Sequence, residues 1–246
     1  MKTERVMQFL GRGPRPAICL LLLALAAAAC APARPATGGG DAAPIGQATV
    51  KQNLVIAAVG EPSDLGGFVA AARGGAGPIK NVLNDTLIVR DDNLGRHPLL
   101  AVELPSVEKG TWRLNPDGTM DVTWKIPANV KWHDGVPFTT DDLAFSYQVF
   151  SDPELPNADS SAVRLIGSVQ AVDPTTLVVH WSKTSIDADQ APGLTPLPRH
   201  QLEQIYKADK DQFAGGAHFR DDYVGLGPYR LTRWELEGGR SPLSGS

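Results

Sequence analysis

The sequence has few cysteines, few aromatic residues and no excess of positive charge. Of its 246 residues two are cysteine and 7% are aromatic, and 23 lysines and arginines stand against 27 aspartates and glutamates, for a net charge of −4. The scarcity of cysteine excludes a disulfide-rich scaffold. The lack of a basic excess argues against a nucleic-acid partner, because phosphate binding requires a basic face.

Long hydrophobic runs are also scarce, and the one that stands out lies near the start of the chain. Residues 17–29 are almost wholly apolar and follow four basic residues, Lys2, Arg5, Arg12 and Arg15. As a helix this run would cover about 20 Å, which is shorter than the ~30 Å hydrocarbon core of a bilayer. We therefore interpret residues 1–29 as an export signal and exclude a multi-span membrane protein.

The end of the signal resembles the lipobox of bacterial lipoproteins. Small residues lead into Cys30, although Ala27 stands where that motif usually has leucine. Signal removal would take Cys19 away and leave Cys30 as the only cysteine, so no internal disulfide is possible. The resemblance implies that Cys30 carries a lipid anchor, which would hold an extracytoplasmic protein on a bacterial membrane. An ordinary signal peptide that is cut nearby is the alternative.

The segment after the signal differs in composition from the rest of the chain. Residues 30–50 are rich in proline, glycine and alanine, which predicts a flexible tether. Residues 54–59 form an apolar run that predicts a buried strand ended by Gly60. A loop rich in glycine and alanine follows, and we expect a short helix at residues 79–87 and a turn at residues 91–93.

The middle of the chain is predicted to be rich in β-structure. Residues 112–114 and 120–126 flank the sequence Asn-Pro-Asp-Gly at 115–118, which is typical of a hairpin turn. In the second strand, apolar and polar residues alternate, so one face of the strand should be buried. The same alternation recurs at residues 177–181. The predicted buried residues of the second strand are Met120, Val122, Trp124 and Ile126.

A helix is predicted to begin after Thr139. Thr139 is a favourable N-cap, and Asp142 can complete a capping box. Phe138 and Leu143 have the spacing of a hydrophobic staple. We expect Leu143, Tyr147 and Phe150 to bury one face and Pro153 to stop the helix. A second helix is expected at residues 199–207, with Leu202, Ile205 and Tyr206 buried.

Residues 124–143 carry a family resemblance. Their sequence, WKIPANVKWHDGVPFTTDDL, resembles the signature of the family 5 extracellular solute-binding proteins of ABC importers, the class of dipeptide- and oligopeptide-binding proteins. The resemblance covers residues 53–239. Other segments that look like this family are residues 61–62, 98–101, 171–177, 198–200 and 224–229.

The resemblance implies a mixed α/β (α+β) fold of the periplasmic-binding-protein type II kind. On that basis the first lobe comprises residues 51–66 and 184–239, and an extra β-rich subdomain comprises residues 67–183. Residues 240–246 show no apolar periodicity and do not look like the strand expected there. Because family members are considerably longer, we expect a C-terminally truncated chain that lacks the second lobe.

The resemblance also implies a function without catalysis. A receptor of this kind, a monomer, captures a di- or oligopeptide by domain closure and delivers it to an ABC permease in the membrane. By position in the family, ligand contacts fall on Arg73, Gly74 and Gly75 after the first strand and on Ala158 and Asp159 at the subdomain edge. The two glycines would let the backbone approach a peptide closely.

Alternative functions stay open at this point. They are a receptor for another solute such as nickel, haem or an oligosaccharide, a nonfunctional fragment, and a secreted hydrolase that uses His133 and Asp134. No cofactor or metal is expected, because no pair of histidines has the spacing of a helical or zinc-finger site. Gly225 and Gly227 lack the third glycine of a dinucleotide fingerprint and indicate a tight turn.

Overall fold

The computed structural model describes residues 55–56, 64–65, 76–155, 161–235 and 243–245. The chain divides into two compact units, residues 1–53 and 54–246, and every described residue belongs to the second. The predicted export signal, the tether and Cys30 therefore lie outside the described residues. None of the helices in the described part of the chain combines the length and the apolar character that crossing a bilayer requires.

Four helices and eight strands make up the regular structure of the described residues. The helices are α1 (Ala76–Leu83), α2 (Thr140–Phe150), α3 (Arg199–Ala208) and α4 (Lys210–Gly215). The strands are β1 (Ile88–Arg90), β2 (Arg96–Pro98), β3 (Trp112–Leu114), β4 (Met120–Lys125), β5 (Ile166–Asp173), β6 (Thr176–Trp181), β7 (Tyr229–Leu231) and β8 (Leu243–Gly245). Short 3₁₀ turns occur at Val163–Leu165, Ala188–Gln190 and Ala217–Phe219.

The main sheet has four antiparallel strands in the order β3-β4-β6-β5. Met120 pairs with Trp181 and Trp124 pairs with Leu177, so the alternating residues of β4 and β6 share one face. That face is buried in the main apolar cluster, which also contains Leu143 of α2. The alternation in the sequence therefore predicted the buried face correctly. Its buried residues on β4 and β6 are Met120, Val122, Trp124, Leu177, Val179 and Trp181.

The hairpin between β3 and β4 confirms the predicted turn. The N–H of Asn115 donates to the carbonyl of Thr119 at 2.9 Å, and the N–H of Gly118 donates to the carbonyl of Asn115 at 3.1 Å. Gly118 has a φ of +86°. Glycine is favoured there because a residue with a Cβ atom is strained in this left-handed backbone conformation.

Helix α2 begins as predicted. The backbone N–H of Thr139 donates to the Asp142 carboxylate at 2.9 Å, and Phe138 and Leu143 are both buried in the main apolar cluster. The predicted buried face was partly wrong, because Tyr147 and Phe150 are only half-buried.

The difference arises because α2 packs between two apolar clusters. Leu143 belongs to the cluster on the sheet, whereas Phe145 and Val149 belong to a second cluster with α3 and α4. In the second cluster, edge-to-face ring contacts link Phe145 to Tyr206 at 5.7 Å and Tyr206 to Phe213 at 5.4 Å. Such contacts are a favourable arrangement of aromatic quadrupoles. Helix α3 itself agrees with the prediction, except that Ile205 is only half-buried.

The predicted helix at residues 79–87 is shifted and shorter. Helix α1 ends at Leu83, and Leu87 is buried just before β1. The polar residues after Leu83 use their side chains for backbone contacts: Asn84 accepts from the N–H of Leu226 at 3.2 Å and Thr86 donates to the carbonyl of Ile88 at 2.6 Å. Side chains of this type compete with helical hydrogen bonding, which explains the early end.

Two further expectations about strands were wrong where the structure describes the residues concerned. Val55 and Ile56 lie in no strand and are 87% and 37% exposed, and the rest of residues 54–59 lie outside the described residues. A strand requires a hydrogen-bonded neighbour, and no described strand pairs with these two residues. Conversely, Leu243–Gly245 does pair antiparallel with Tyr229–Leu231. Backbone pairing needs no side-chain periodicity, so the sequence pattern missed it.

Replacing Leu177 with alanine should lower the free energy of unfolding by about 2–4 kcal/mol, because the change leaves a cavity in the core. Leu177 is 0% exposed, whereas Leu114 of the same sheet is 58% exposed. Leu114→Ala is therefore the matched control and should cost less than about 0.5 kcal/mol. Urea denaturation followed by circular dichroism measures both losses, and equal losses would contradict the described burial.

Candidate functional site

The residues assigned to ligand contact lie outside the described residues. Arg73, Gly74 and Gly75 directly precede α1, and Ala158 and Asp159 fall between residues 155 and 161. The structure does describe the residues next to both segments. These are helix α1, which follows residues 73–75, and the packed residues on either side of residues 156–160.

Helix α1 is held at its C-terminal end by a close backbone contact. Gly225 and Gly227 are buried against Leu83, whose carbonyl accepts from the N–H of Gly227 at 3.0 Å. A Cβ atom on Gly225 would lie 2.0 Å from the Leu83 carbonyl oxygen, and one on Gly227 would lie 2.6 Å from the Leu83 carbonyl carbon. Instead of the expected tight turn, the structure has a bend at residues 227–228. The two glycines have a packing role, since only glycine lets the two backbones approach so closely.

The turn at residues 132–136 is attached to the same glycine segment. Gly135 occupies a left-handed conformation with a φ of +92°, and the N–H of Trp132 donates to the carbonyl of Val136 at 2.8 Å. The His133 ring lies 2.8 Å from the Gly227 carbonyl through Nε2 and 3.3 Å from the Gly225 nitrogen through Nδ1. Both ring nitrogens of His133 therefore contact backbone.

The proposed catalytic pair of His133 and Asp134 is not formed. The Asp134 carboxylate instead lies 2.7 Å from Nε2 of His200 and 3.2 Å from the side-chain nitrogen of Gln201. A general base must be within hydrogen-bond reach of its partner with a nitrogen free for the substrate, and His133 meets neither condition. The geometry gives the hydrolase alternative no support.

Asp142 is a buried carboxylate with three N–H donors. It accepts from the backbone of Thr139 at 2.9 Å, from Nε1 of Trp132 at 3.3 Å and from the backbone of Arg199 at 3.0 Å. Burial raises the pKa of Asp142, and these donors oppose that rise. Asp142 therefore connects the start of α2, the start of α3 and the Trp132 indole through the hydrogen bonds that its carboxylate accepts.

A polar cluster supports the chain just before residues 156–160. The buried Asp152 carboxylate accepts from the Tyr206 hydroxyl at 2.6 Å and lies 2.5 Å from the Lys210 ammonium. Burial, together with the hydrogen bond to Asp152, raises the pKa of Tyr206 to about 12. Sequence reasoning missed this cluster, because residues so far apart in the chain give no spacing signal.

On the other side of residues 156–160, the chain is fixed by packing. Val163 is buried, and Gly193 approaches it so closely that a Cβ atom on Gly193 would lie 3.0 Å from the Val163 side chain. Leu155, on the near side, is also buried. The segment that includes Ala158 and Asp159 is therefore flanked by buried residues, Leu155 before it and Val163 after it.

Another histidine pairs with a carboxylate on the outer face of the main sheet. Nδ1 of His180 lies 2.8 Å from the Asp121 carboxylate, which also accepts from Asn115 at 3.1 Å. The hydrogen bonds from His180 and Asn115 hold the pKa of Asp121 below its usual range. Among the residues with described positions, no group of three or more His, Cys, Asp or Glu side chains could hold a metal ion.

These elements form part of the fold of the type II periplasmic binding proteins. The structure is similar to an oligopeptide-binding protein from Thermus thermophilus complexed with a pentapeptide, with a TM-score of 0.61 and 22% identity over 72% of this chain and 35% of that chain. It is also similar to the oligopeptide-binding protein AppA of Bacillus subtilis in complex with a nonapeptide, with a TM-score of 0.59 and 22% identity over 72% and 33% of the two chains.

Sequence comparison defines the family. Residues 105–239 match the model of the bacterial extracellular solute-binding proteins, family 5 Middle. This match spans more than half of the chain, so the chain belongs to the family 5 solute-binding proteins, and the resemblance carried by residues 124–143 is confirmed.

Curated relatives are much longer than this chain. A protein of Brucella ovis named as an ABC transporter peptide-binding protein is 27% identical over 125 residues, which are 50% of this chain and 23% of the relative. Oligopeptide-binding protein AppA of Bacillus subtilis is 23% identical over 185 residues, 74% of this chain and 32% of the relative. The chain thus spans at most about a third of the length of these relatives.

Replacing Gly225 with alanine should lower the free energy of unfolding by about 2–4 kcal/mol, because the backbones must separate to accept the new methyl group. Gly215 is a matched control, since a Cβ atom there meets nothing within 4 Å. Gly215→Ala, at the end of α4, should be neutral or stabilising by up to about 1 kcal/mol. Thermal and urea unfolding compare the two variants, and a Gly225→Ala protein as stable as the parent would refute the packing role.

Proposed function

We propose that this chain is part of a receptor that captures peptides outside the cytoplasmic membrane and delivers them to an ABC permease. The observation that carries the proposal is membership of the family 5 solute-binding proteins together with relatives that are named for peptide binding. The fold agrees, because the similar structures from Thermus thermophilus and Bacillus subtilis hold a pentapeptide and a nonapeptide.

The proposed ligand contacts are Arg73, Gly74, Gly75, Ala158 and Asp159. An arginine and an aspartate can form charge-assisted hydrogen bonds with the carboxylate and the ammonium groups of a peptide. Two adjacent glycines leave the backbone accessible to hydrogen bonds from the peptide. The Asp152 cluster supports the assignment of Ala158 and Asp159, because it fixes the chain shortly before them. The contact at Leu83 holds the opposite end of α1 from Arg73, Gly74 and Gly75.

The proposed organisation follows the family. Residues 51–66 and 184–239 belong to the first lobe, and residues 67–183 form the extra subdomain, which includes the main sheet. In the receptor of which this chain is part, capture proceeds by domain closure around the ligand, without covalent chemistry. The side chains of His133, Asp134 and Asp142 are each hydrogen-bonded to other parts of the fold. These bonds favour a binding function over a catalytic one for this chain.

We also propose that the protein is exported and held on a bacterial membrane, as a monomer, by lipid attached to Cys30. The basic residues, the apolar run at residues 17–29 and the small residues before Cys30 support this. Two or more acyl chains anchor a protein stably, whereas one gives only marginal binding.

Peptide binding can be measured by isothermal titration calorimetry of the purified chain with pools of di-, tri-, penta- and nonapeptides. We expect at least one pool to bind with a Kd on the order of micromolar. Asp159→Asn should weaken that affinity by about tenfold or more, because a hydrogen bond to a charged group is lost. Arg73→Ala should have an effect of similar size for the same reason.

Matched controls separate the function from the assigned contacts. Asp211→Asn and Arg113→Ala change the same residue types at exposed positions of α4 and β3, and both should bind as the parent does. Failure of every pool to bind would overturn the proposal that this chain captures peptides and would favour the nonfunctional-fragment alternative. Parent-like binding by Asp159→Asn and Arg73→Ala would overturn only the assigned contacts.

Lipid attachment can be tested with the two cysteines of the chain. Cys30→Ser should move the protein from the membrane fraction to the soluble fraction of an expressing bacterium and remove the mass of the lipid, because the sulfur is the attachment point. Cys19→Ser lies within the predicted signal and should leave both readouts unchanged. Identical fractionation and mass for the parent and Cys30→Ser would exclude the anchor.

A further inference from the structure

His133 bridges the turn at residues 132–136 and the glycine segment 225–227. Three contacts form this bridge: the backbone N–H of His133 donates to the Gly225 carbonyl at 3.0 Å, Nε2 lies 2.8 Å from the Gly227 carbonyl and Nδ1 lies 3.3 Å from the Gly225 nitrogen. The same glycine segment packs on Leu83 at the end of α1. His133 therefore links the turn to the glycine segment, and the glycine segment packs on the end of α1.

The chemistry of the two partners assigns the protonation of the ring. A carbonyl oxygen only accepts, so Nε2 must carry a proton to bond with Gly227. A backbone N–H only donates, so Nδ1 must carry a lone pair to accept from Gly225. The contacts are therefore satisfied together by the neutral ring with its proton on Nε2. In the protonated ring, Nδ1–H would face the Gly225 N–H, and two donors would oppose each other.

The charged groups around the ring determine how unfavourable its protonated form is. Asp85, after α1, faces His133, and burial raises the pKa of this carboxyl while the charge of His133 opposes the rise. Asp134, beside His133 in the turn, is instead engaged by His200. Lys131 is exposed at the start of the turn. In the approach to the glycine segment, burial raises the pKa of Tyr223, which keeps that phenol neutral.

We propose that His133 is a pH-sensitive latch. Its neutral ring accepts a hydrogen bond from the Gly225 N–H and so adds a bond between the glycine segment and the turn at residues 132–136, and its protonated ring loses that bond while the other two contacts remain. Histidine is the side chain that ordinarily changes charge between about pH 5 and pH 8. The contribution of the latch to stability is present when the ring is neutral and is lost as the pH falls. Attraction between Asp85 and the protonated ring offsets part of this loss. The latch is independent of which solute the protein binds.

Hydrogen exchange of the full chain measures the latch at the amides it holds. The protection factor of the Gly225 amide should fall by about fivefold to tenfold between about pH 8 and pH 5.5, after correction for intrinsic exchange. The His133 amide should change less, because its bond to the Gly225 carbonyl does not involve the ring. His133→Gln keeps one acceptor and one donor but cannot take up a proton, so its protection should be the same at both pH values. Asp85→Asn should enlarge the fall, because the compensating attraction is removed.

His180→Gln is the control, since His180 lies on the outer face of the main sheet and pairs with Asp121. It should retain the pH dependence of the parent at Gly225. A parent protein with pH-independent protection, or a His133→Gln protein with the pH dependence of the parent, would overturn the latch. If His133→Gln does not fold, the nitrogen NMR shifts of the parent His133 decide: a neutral ring protonated on Nδ1 would overturn the proposal, and one protonated on Nε2 would support it.

Discussion

The arrangement of the described helices and turns depends on the hydrogen bonds of the buried Asp142 carboxylate. It receives the backbone N–H groups at the starts of α2 and α3 and the indole N–H of Trp132. A buried carboxylate is costly unless its lone pairs are used, and here three donors offset that cost. The two helices and the turn at residues 132–136 are therefore fixed against one another by one side chain, and the apolar clusters form around that frame.

The family signature at residues 124–143 consists largely of residues with structural partners. Trp132 and Asp142 bond to each other, His133 bonds to the glycine segment, and Asp134 bonds to His200. The chemistry of a histidine next to an aspartate suggests catalysis in the sequence, yet the fold directs the two side chains to different partners. In this chain the signature identifies the fold, and the proposed ligand contacts lie elsewhere.

Local patterns predicted the local structure well. The β3–β4 hairpin followed from its turn residues, the buried face of β4 from alternation and the start of α2 from its capping residues, because each depends on neighbours a few residues apart. The contacts of Asp152 with Lys210 and of His133 with Gly225 depend on segments that only the folded chain brings together. No spacing in the sequence encodes them. The same limit applies to Gly225 and Gly227, whose need for glycine comes from the backbone of Leu83.

Helix α2 has apolar side chains on two sides, with Leu143 in the sheet cluster and Phe145 and Val149 in the aromatic cluster. A helix held on both sides cannot rotate to relieve a poor contact on one side without disturbing the other. Protein interiors are closely packed and transmit such strain. We therefore expect a shift imposed on the aromatic cluster to be passed through α2 to the strands of the sheet.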